Sequence, residues 1–343
     1  FYQWEYFFIQ TIQSQVMIEL ILISIVINSM FFLSYDKISE CLGLYDLPDN
    51  SRKIHFLKVS NIGGFIFAIN ALVFLLYSYF FQSFFEEGFV FFIYFFSLIS
   101  FFIGFCDDKN YLNPIFKLFL SSALVYMAII LNDDFVVKNI KINSLNIDLN
   151  LGRYSIFFTI LCMLLFLNAL NMFDGINLQL GMYLITIFVI FLYKGLFQSF
   201  SLLMIISVLF FLYFNFKNKI FLGNAGVWFC AYFISASIID SYNQKYISIE
   251  LILMLLMFPG IDMFRVFIER IYKKKHPFYP DKIHIHHILL NSLDNLKTMI
   301  IIFLCYFLPI LIFLITEKFI FSFLLLLVLY FFLYLKFRFL KSS

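Results

Sequence analysis

The chain has 343 residues, of which 63% are hydrophobic and only 13% charged, with a mean hydropathy of +0.95. Globular domains run near one-half apolar and one-quarter charged, so a water-soluble core of ordinary composition is excluded. A formal net charge of +3, spread between apolar blocks, gives no argument for a nucleic-acid partner.

Apolar residues fall in blocks of about twenty, the length that crosses hydrocarbon. In chain order the spans are read near 14–34, 60–82, 87–105, 114–131, 154–172, 178–193, 196–214, 226–241, 247–267, 298–316 and 319–337. The predicted fold class is an all-α polytopic membrane protein of about eleven transmembrane helices, organised as a single domain over 1–343. No cleavable signal peptide is read at its start. The 53 phenylalanines read as lipid-facing bulk, and Pro259 and Pro309 fall inside spans, where they predict kinks or local unwinding. The five cysteines, Cys41, Cys106, Cys162, Cys230 and Cys305, stand far apart without a CxxC pair, so neither a disulfide framework nor a cysteine zinc site is expected.

Segment 135–151 departs from its surroundings. Ile140, Ile142, Leu145, Ile147, Leu149 and Leu151 alternate with polar residues around Asn143-Ser144, which predicts a small β-hairpin on the outer, periplasmic surface. Orientation follows from lysine and arginine: eighteen fall on one set of connections and six on the other. By the positive-inside rule the richer set is cytoplasmic, which puts the N-terminus outside and the C-terminus inside.

Five polar clusters emerge on that cytoplasmic side. Arg52, Lys53 and His55, ahead of Asn61-Ile-Gly-Gly64, offer cations to a phosphate, although an ordinary basic inside loop would look the same. Asp107 and Asp108 close a helix where both mutual repulsion and the helix dipole oppose them, so a cation or a mobile proton is expected beside them. Asn168, Asn171 and Asp174 are spaced by three and predict one polar stripe near hydrocarbon, an expensive arrangement that is usually functional. Asn215 precedes Gly223-Asn224-Ala-Gly226 at a helix start, a setting for an anion or for close helix packing. Finally Asp262 and Arg265 lead into a cytoplasmic loop, 268–297, carrying His284, His286 and His287. Their spacing fits no usual zinc pattern, and imidazoles gripping phosphate suit them better. A secondary transporter would place its site at the midplane between inverted repeats, and no repeat is found.

The stretches DLPDNSRKIH, NALNMFDGIN, NKIFLGNAG and PFYPDKIHIHH, taken together and in this order, resemble the polyprenyl-phosphate N-acetylhexosamine-1-phosphate transferases. The resemblance runs from Asp46 to Leu289, and the His-x-His-His form is similar to the common-antigen and teichoic branch, that of the undecaprenyl-phosphate GlcNAc-1-phosphate transferases. It implies a Mg²⁺-dependent enzyme (Mn²⁺ being the alternative ion) of the bacterial inner membrane. Such an enzyme moves a HexNAc-1-phosphate from a UDP-HexNAc onto undecaprenyl phosphate, releasing UMP, and a homodimer is an assembly it allows. By motif it implies Asp107, Asp108 and Asp174 as catalytic residues and Asp174 with Asn224 as metal ligands. Lys53, Lys117, Asn168, Asn171, Asn177, Asn215, Arg265, His284, His286 and His287 are the substrate-binding positions it implies. Two positions depart: Asn177 and Asn224 stand where the family usually has Asp, and an amide brings an oxygen to the ion but no charge. A catalytically impaired homologue is the alternative those two residues raise.

Overall fold

A computed structural model describes residues 2–47, 58–81, 87–276 and 281–339. Its helices are α1 (Tyr2–Leu33), α2 (Tyr35–Leu42), α3 (Gly63–Phe81), α4 (Glu87–Asn110), α5 (Pro114–Leu131), α6 (Ser155–Phe173) and α7 (Gln179–Tyr193). They continue as α8 (Gln198–Phe216), α9 (Gly223–Asn243), α10 (Ile249–Tyr272), α11 (Ile285–Leu290), α12 (Asn295–Thr316) and α13 (Phe319–Phe339). Two short antiparallel pairs accompany them: β1 (Tyr45–Asp46) with β2 (Val59–Ser60), and β3 (Asn139–Ile142) with β4 (Ile147–Asn150).

Every window read from the sequence falls on a helix, yet length and composition support fewer crossings than eleven. Among the described residues eight helices are long and apolar enough to span a membrane. A ninth results if α1 and α2, bent by 65° at Ser34, count as one broken span. α7 has only 15 residues. α9 is buried at every position from Ala225 to Ile239 and carries Ser235, Ser237 and Asp240, so it has no need of a lipid-facing apolar surface. Pro259 and Pro309 both lie inside continuous helices, which leaves the kink and not the unwinding of the two expected outcomes. The break at Ser34 has no proline to announce it.

The helices group into two compact units. One comprises Phe1–Leu47, Leu57–Asn110 and Leu184–Cys230. In it α1 packs on α8 and α3, and α3 on α4 and α8. Phe32 stacks on Phe214 with ring centroids 4.9 Å apart, and Phe200 meets Tyr94 edge-on at 4.5 Å. Polar residues also join α1 to α3: the Ser24 hydroxyl donates to Asn70 Oδ1 at 2.6 Å, and Asn70 Nδ2 donates to Asn28 Oδ1 at 3.4 Å. Such bonds favour helix association where water is absent. Ser60 of β2 donates its amide to the Lys219 carbonyl and accepts from Phe221, which fixes the entry into α9.

Among the described residues the second unit comprises Tyr111–Tyr183 and the chain from Ala231 onward. Here α6 packs between α5 and α10, while α12 contacts α10, α11 and α13. Phe173, Tyr183, Phe258 and Tyr306 form an aromatic cluster of edge-to-face and tilted contacts at the end of α6. Asn113 caps α5 by accepting from the Ile115 amide, with Pro114 at the first helical position. The hairpin pairs Ile142 with Ile147, but its turn is a 3₁₀ turn over Asn143–Leu145, with Asn146 in the left-handed conformation. Asparagine tolerates that conformation better than most residues. Tyr242 and Glu250 anchor the hairpin by accepting from the Lys141 and Ser144 amides, each at 2.9 Å.

Candidate active site

In the first unit the acidic pair ends α4, with Asp107 only 3% exposed. Asp108 faces the opening turn of α9. Its Oδ1 accepts from the Asn224 amide and its Oδ2 from the Ala225 amide, each at 2.9 Å, and Asn61 Nδ2 donates to Oδ1 at 3.3 Å. Free amides and a positive dipole end make a helix N-terminus a good seat for an anion, worth about 0.3–2 kcal/mol. The unfavourable helix-end position read from the sequence is thus partly offset at Asp108 by the amides of a second helix. Asn215, buried at the end of α8, donates to the Ile220 carbonyl at 2.9 Å and closes the turn into α9.

In the second unit the expected polar stripe is shorter than its spacing implied. α6 stops at Phe173, and Asp174 is the residue after it, outside helical geometry. Asn168 donates to the Leu164 carbonyl within its own helix at 2.7 Å, and Asn171 lies one turn on, half-buried. Asp174 and Asn177 are half-buried on the turn into α7. On that turn Gly175 touches the ring of His286: a Cβ built on Gly175 would overlap three of its ring atoms. Two motifs more than a hundred residues apart in sequence therefore meet. Lys117 lies over the Tyr111 ring at 4.9 Å, and Lys53 lies outside the described residues.

The histidines belong to α11, a feature of the 268–297 segment that no periodicity announces. His284 caps this short helix, the rings of His284 and His286 stack in parallel with centroids 5.6 Å apart, and His287 lies tilted at 4.3 Å from His286. Arg270 clamps the segment to α10 by donating to both carboxylate oxygens of Asp281, at 3.0 and 3.1 Å. Arg265 is buried and spends four of its five N–H groups inside the protein, on Tyr330, Glu269, Asp262 and the Ile283 carbonyl. Asp262, which the sequence placed in this cluster without giving it a role, is the centre of the network.

Burial, followed by the neighbouring His287 and His284, holds His286 well below the ordinary imidazole range. Burial, then His284 and Lys282, brings His287 down to about 4. Both rings are neutral in the folded chain at neutral pH, whereas the unfolded chain takes up protons near pH ~6.5. Between those values the unfolded state binds more protons, so folded stability is complete above about pH 6.5 and declines as the pH falls toward 4. Melting followed from pH 7 to 5 is expected to drop by several degrees; a flat profile would show that these rings carry their protons when folded.

Among the described residues no group of three or more His, Cys, Asp or Glu side chains is placed to hold a metal.

Comparison with known proteins adds independent evidence. The sequence model of glycosyl transferase family 4 matches residues 90–242. The probable undecaprenyl-phosphate N-acetylglucosaminyl 1-phosphate transferase of Bacillus subtilis strain 168 is 30% identical over 278 residues, covering 78% of this chain and 76% of that protein. Undecaprenyl-phosphate alpha-N-acetylglucosaminyl 1-phosphate transferases of Salmonella typhi and Thermotoga maritima are each 26% identical. The Salmonella protein aligns over 77% of this chain and 74% of its own length, the Thermotoga protein over 75% and 76%.

Proposed function

We propose that this chain, which belongs to glycosyl transferase family 4, transfers a HexNAc-1-phosphate from a UDP-sugar to undecaprenyl phosphate and releases UMP. The observation that carries the reading is the seating of His286 on Gly175, which puts the phosphate-suited imidazoles beside the Asp174 turn. In the balanced reaction a lipid phosphate oxygen forms a bond to the sugar-linked phosphorus, and the bond from that phosphorus to its bridging oxygen breaks, so UMP leaves with the oxygen. Asp107 or Asp108 would hold the lipid phosphate or take its proton, Asp108 being positioned for it by the amides of α9. By motif Asp174 and Asn224 are each assigned as a candidate magnesium ligand, and the ion when bound would screen the diphosphate charge. Lys117, Asn171, Asn177 and the histidines bind and orient the donor. The excess of lysine and arginine on one set of connections supports a cytoplasmic site, an outer N-terminus and an inner C-terminus.

Purified protein supplied with undecaprenyl phosphate, magnesium or manganese and a panel of UDP-HexNAc donors is expected to release UMP with at least one of them. Silence with every donor, unchanged by Asp174→Asn, would instead identify a non-catalytic homologue. Asn224→Asp sharpens the metal assignment, because it sets a second carboxylate beside Asp108. The variant is expected to melt lower in chelator, to recover with magnesium, and to reach half-maximal rate at less magnesium than the parent. An identical magnesium dependence would remove position 224 from the ligand set.

A further inference from the structure

We infer that Tyr330, on the last helix, and Asp262 are positioning residues that keep His284 protonated on Nδ1 and leave its Nε2 to face a substrate phosphate. The identity of that phosphate rests on the transferase reading above; the rest stands on geometry. Asp262 is 2% exposed and accepts at both oxygens. Its Oδ1 receives the Tyr330 hydroxyl at 2.8 Å, Arg265 Nη2 at 2.7 Å and the Ile285 amide at 3.0 Å. Its Oδ2 lies 2.8 Å from His284 Nδ1. A carboxylate facing a guanidinium, a hydroxyl and an amide N–H is ionised and can only accept. Nδ1 of His284 is therefore the donor.

Nε2, the other nitrogen of His284, makes no hydrogen bond among the described residues. A carboxylate behind an imidazole fixes its tautomer and its ring orientation, as it does behind metal-bound histidines. With Nδ1 carrying its proton, Nε2 presents its lone pair in one fixed direction, as an acceptor for a phosphate O–H, beside the buried ring of His286.

Tyr330 sets the geometry of both charged groups. Its hydroxyl accepts from Arg265 Nε at 2.6 Å and donates to Asp262, so one oxygen orients guanidinium and carboxylate together. Because Asp262 also holds the first amide of α11, that orientation passes to the whole imidazole helix. Tyr330 and Asp262 both lie beyond residues 90–242, so the family match does not reach them.

The test uses the full chain in lipid nanodiscs, with inorganic pyrophosphate and magnesium as the probe. Tyr330→Phe removes one oxygen and keeps the ring against Phe258 and Phe331, so it is expected to fold. Its pyrophosphate affinity is expected to fall by about tenfold, the scale seen when a group behind a ligating histidine is lost. His284→Gln should cost at least as much, and adding Tyr330→Phe to it should change nothing further, because the tyrosine acts through that ring. Asp262→Glu, which keeps the charge but shifts it, is the second variant and should show the same loss. Effects of Tyr330→Phe and His284→Gln that multiply would overturn the inference, as would wild-type affinity in Tyr330→Phe or a parent protein blind to pyrophosphate. A parent that binds pyrophosphate yet releases no UMP from any donor would sink the transferase reading alone.

Discussion

Gly175→Ala is expected to lower UMP release by about 100-fold or more while leaving a protein that still folds, since misplacing a binding group by about 1 Å is enough for such a loss. A Cβ at this position would meet the Nε2, Cε1 and Cδ2 atoms of His286, so the obstacle is the flat of one ring. That ring has little freedom to yield. It is 1% exposed, stacked in parallel against His284 and bounded on another side by His287. The methyl group must push the imidazole out of register or lift the Asp174 turn away from it, and either movement separates the two motifs that meet here. Gly260→Ala is the control, because its Cβ would meet nothing within 4 Å and it lies in α10, where alanine favours the helix. Near-parental turnover in Gly175→Ala would mean that His286 and the Asp174 turn act apart, and the proposed site would lose its central contact.

How far the sequence could carry this site depends on the range of the interactions involved. Hydrophobic blocks and capping signals are local, which is why Asn113-Pro114 marks the start of α5 and alternation marks β3 and β4. Asp108 shows where local reasoning stops. Its unfavourable place at the end of α4 was legible, but its partners are amides 116 and 117 residues away. Asp262 is a similar case: its four partners come from its own helix, the start of α11 and α13, and no spacing rule links them. The stripe of Asn168, Asn171 and Asp174 erred in the opposite direction. Helical periodicity carries the stripe one step past the residue where the helix ends, because the backbone departs at Asp174. Leu178, with φ of 69°, sits four residues on, in a conformation that a leucine sequence signal would never suggest.

The start of α9 is where the largest loss of folded protein is expected, and Gly64→Ala is the substitution that tests it. A Cβ on Gly64 would overlap the backbone nitrogen and Cα of Gly226, and one on Gly226 would in turn lie 2.6 Å from the Gly64 Cα. Gly104 of α4 approaches from another direction, with a built Cβ 2.5 Å from the Asn224 carbonyl oxygen and 2.7 Å from the Ala225 Cα. Three glycines therefore let the backbones of α3, α4 and α9 come together around the amides that Asp108 caps. Small residues at such crossings allow close helix packing in membranes, where dispersion contacts and backbone bonds take over from the hydrophobic effect. A side-chain clash can be relieved by a rotamer change, but a clash with backbone moves whole helices. Overpacking in a filled core costs about 1–3 kcal/mol, and this contact belongs at or above the upper end of that range. The same displacement would withdraw the Asn224 and Ala225 amides from Asp108 and leave its charge without them, adding to the cost. Gly64→Ala is thus expected to lower the melting temperature in detergent by about 10 °C or to abolish the monodisperse species, by the scaling of about 2–4 °C per kcal/mol seen in domains of comparable size. A variant melting within a degree or two of the parent would show that α3 and α9 do not cross at these two residues, and the caging of Asp108 would have to be abandoned with that contact.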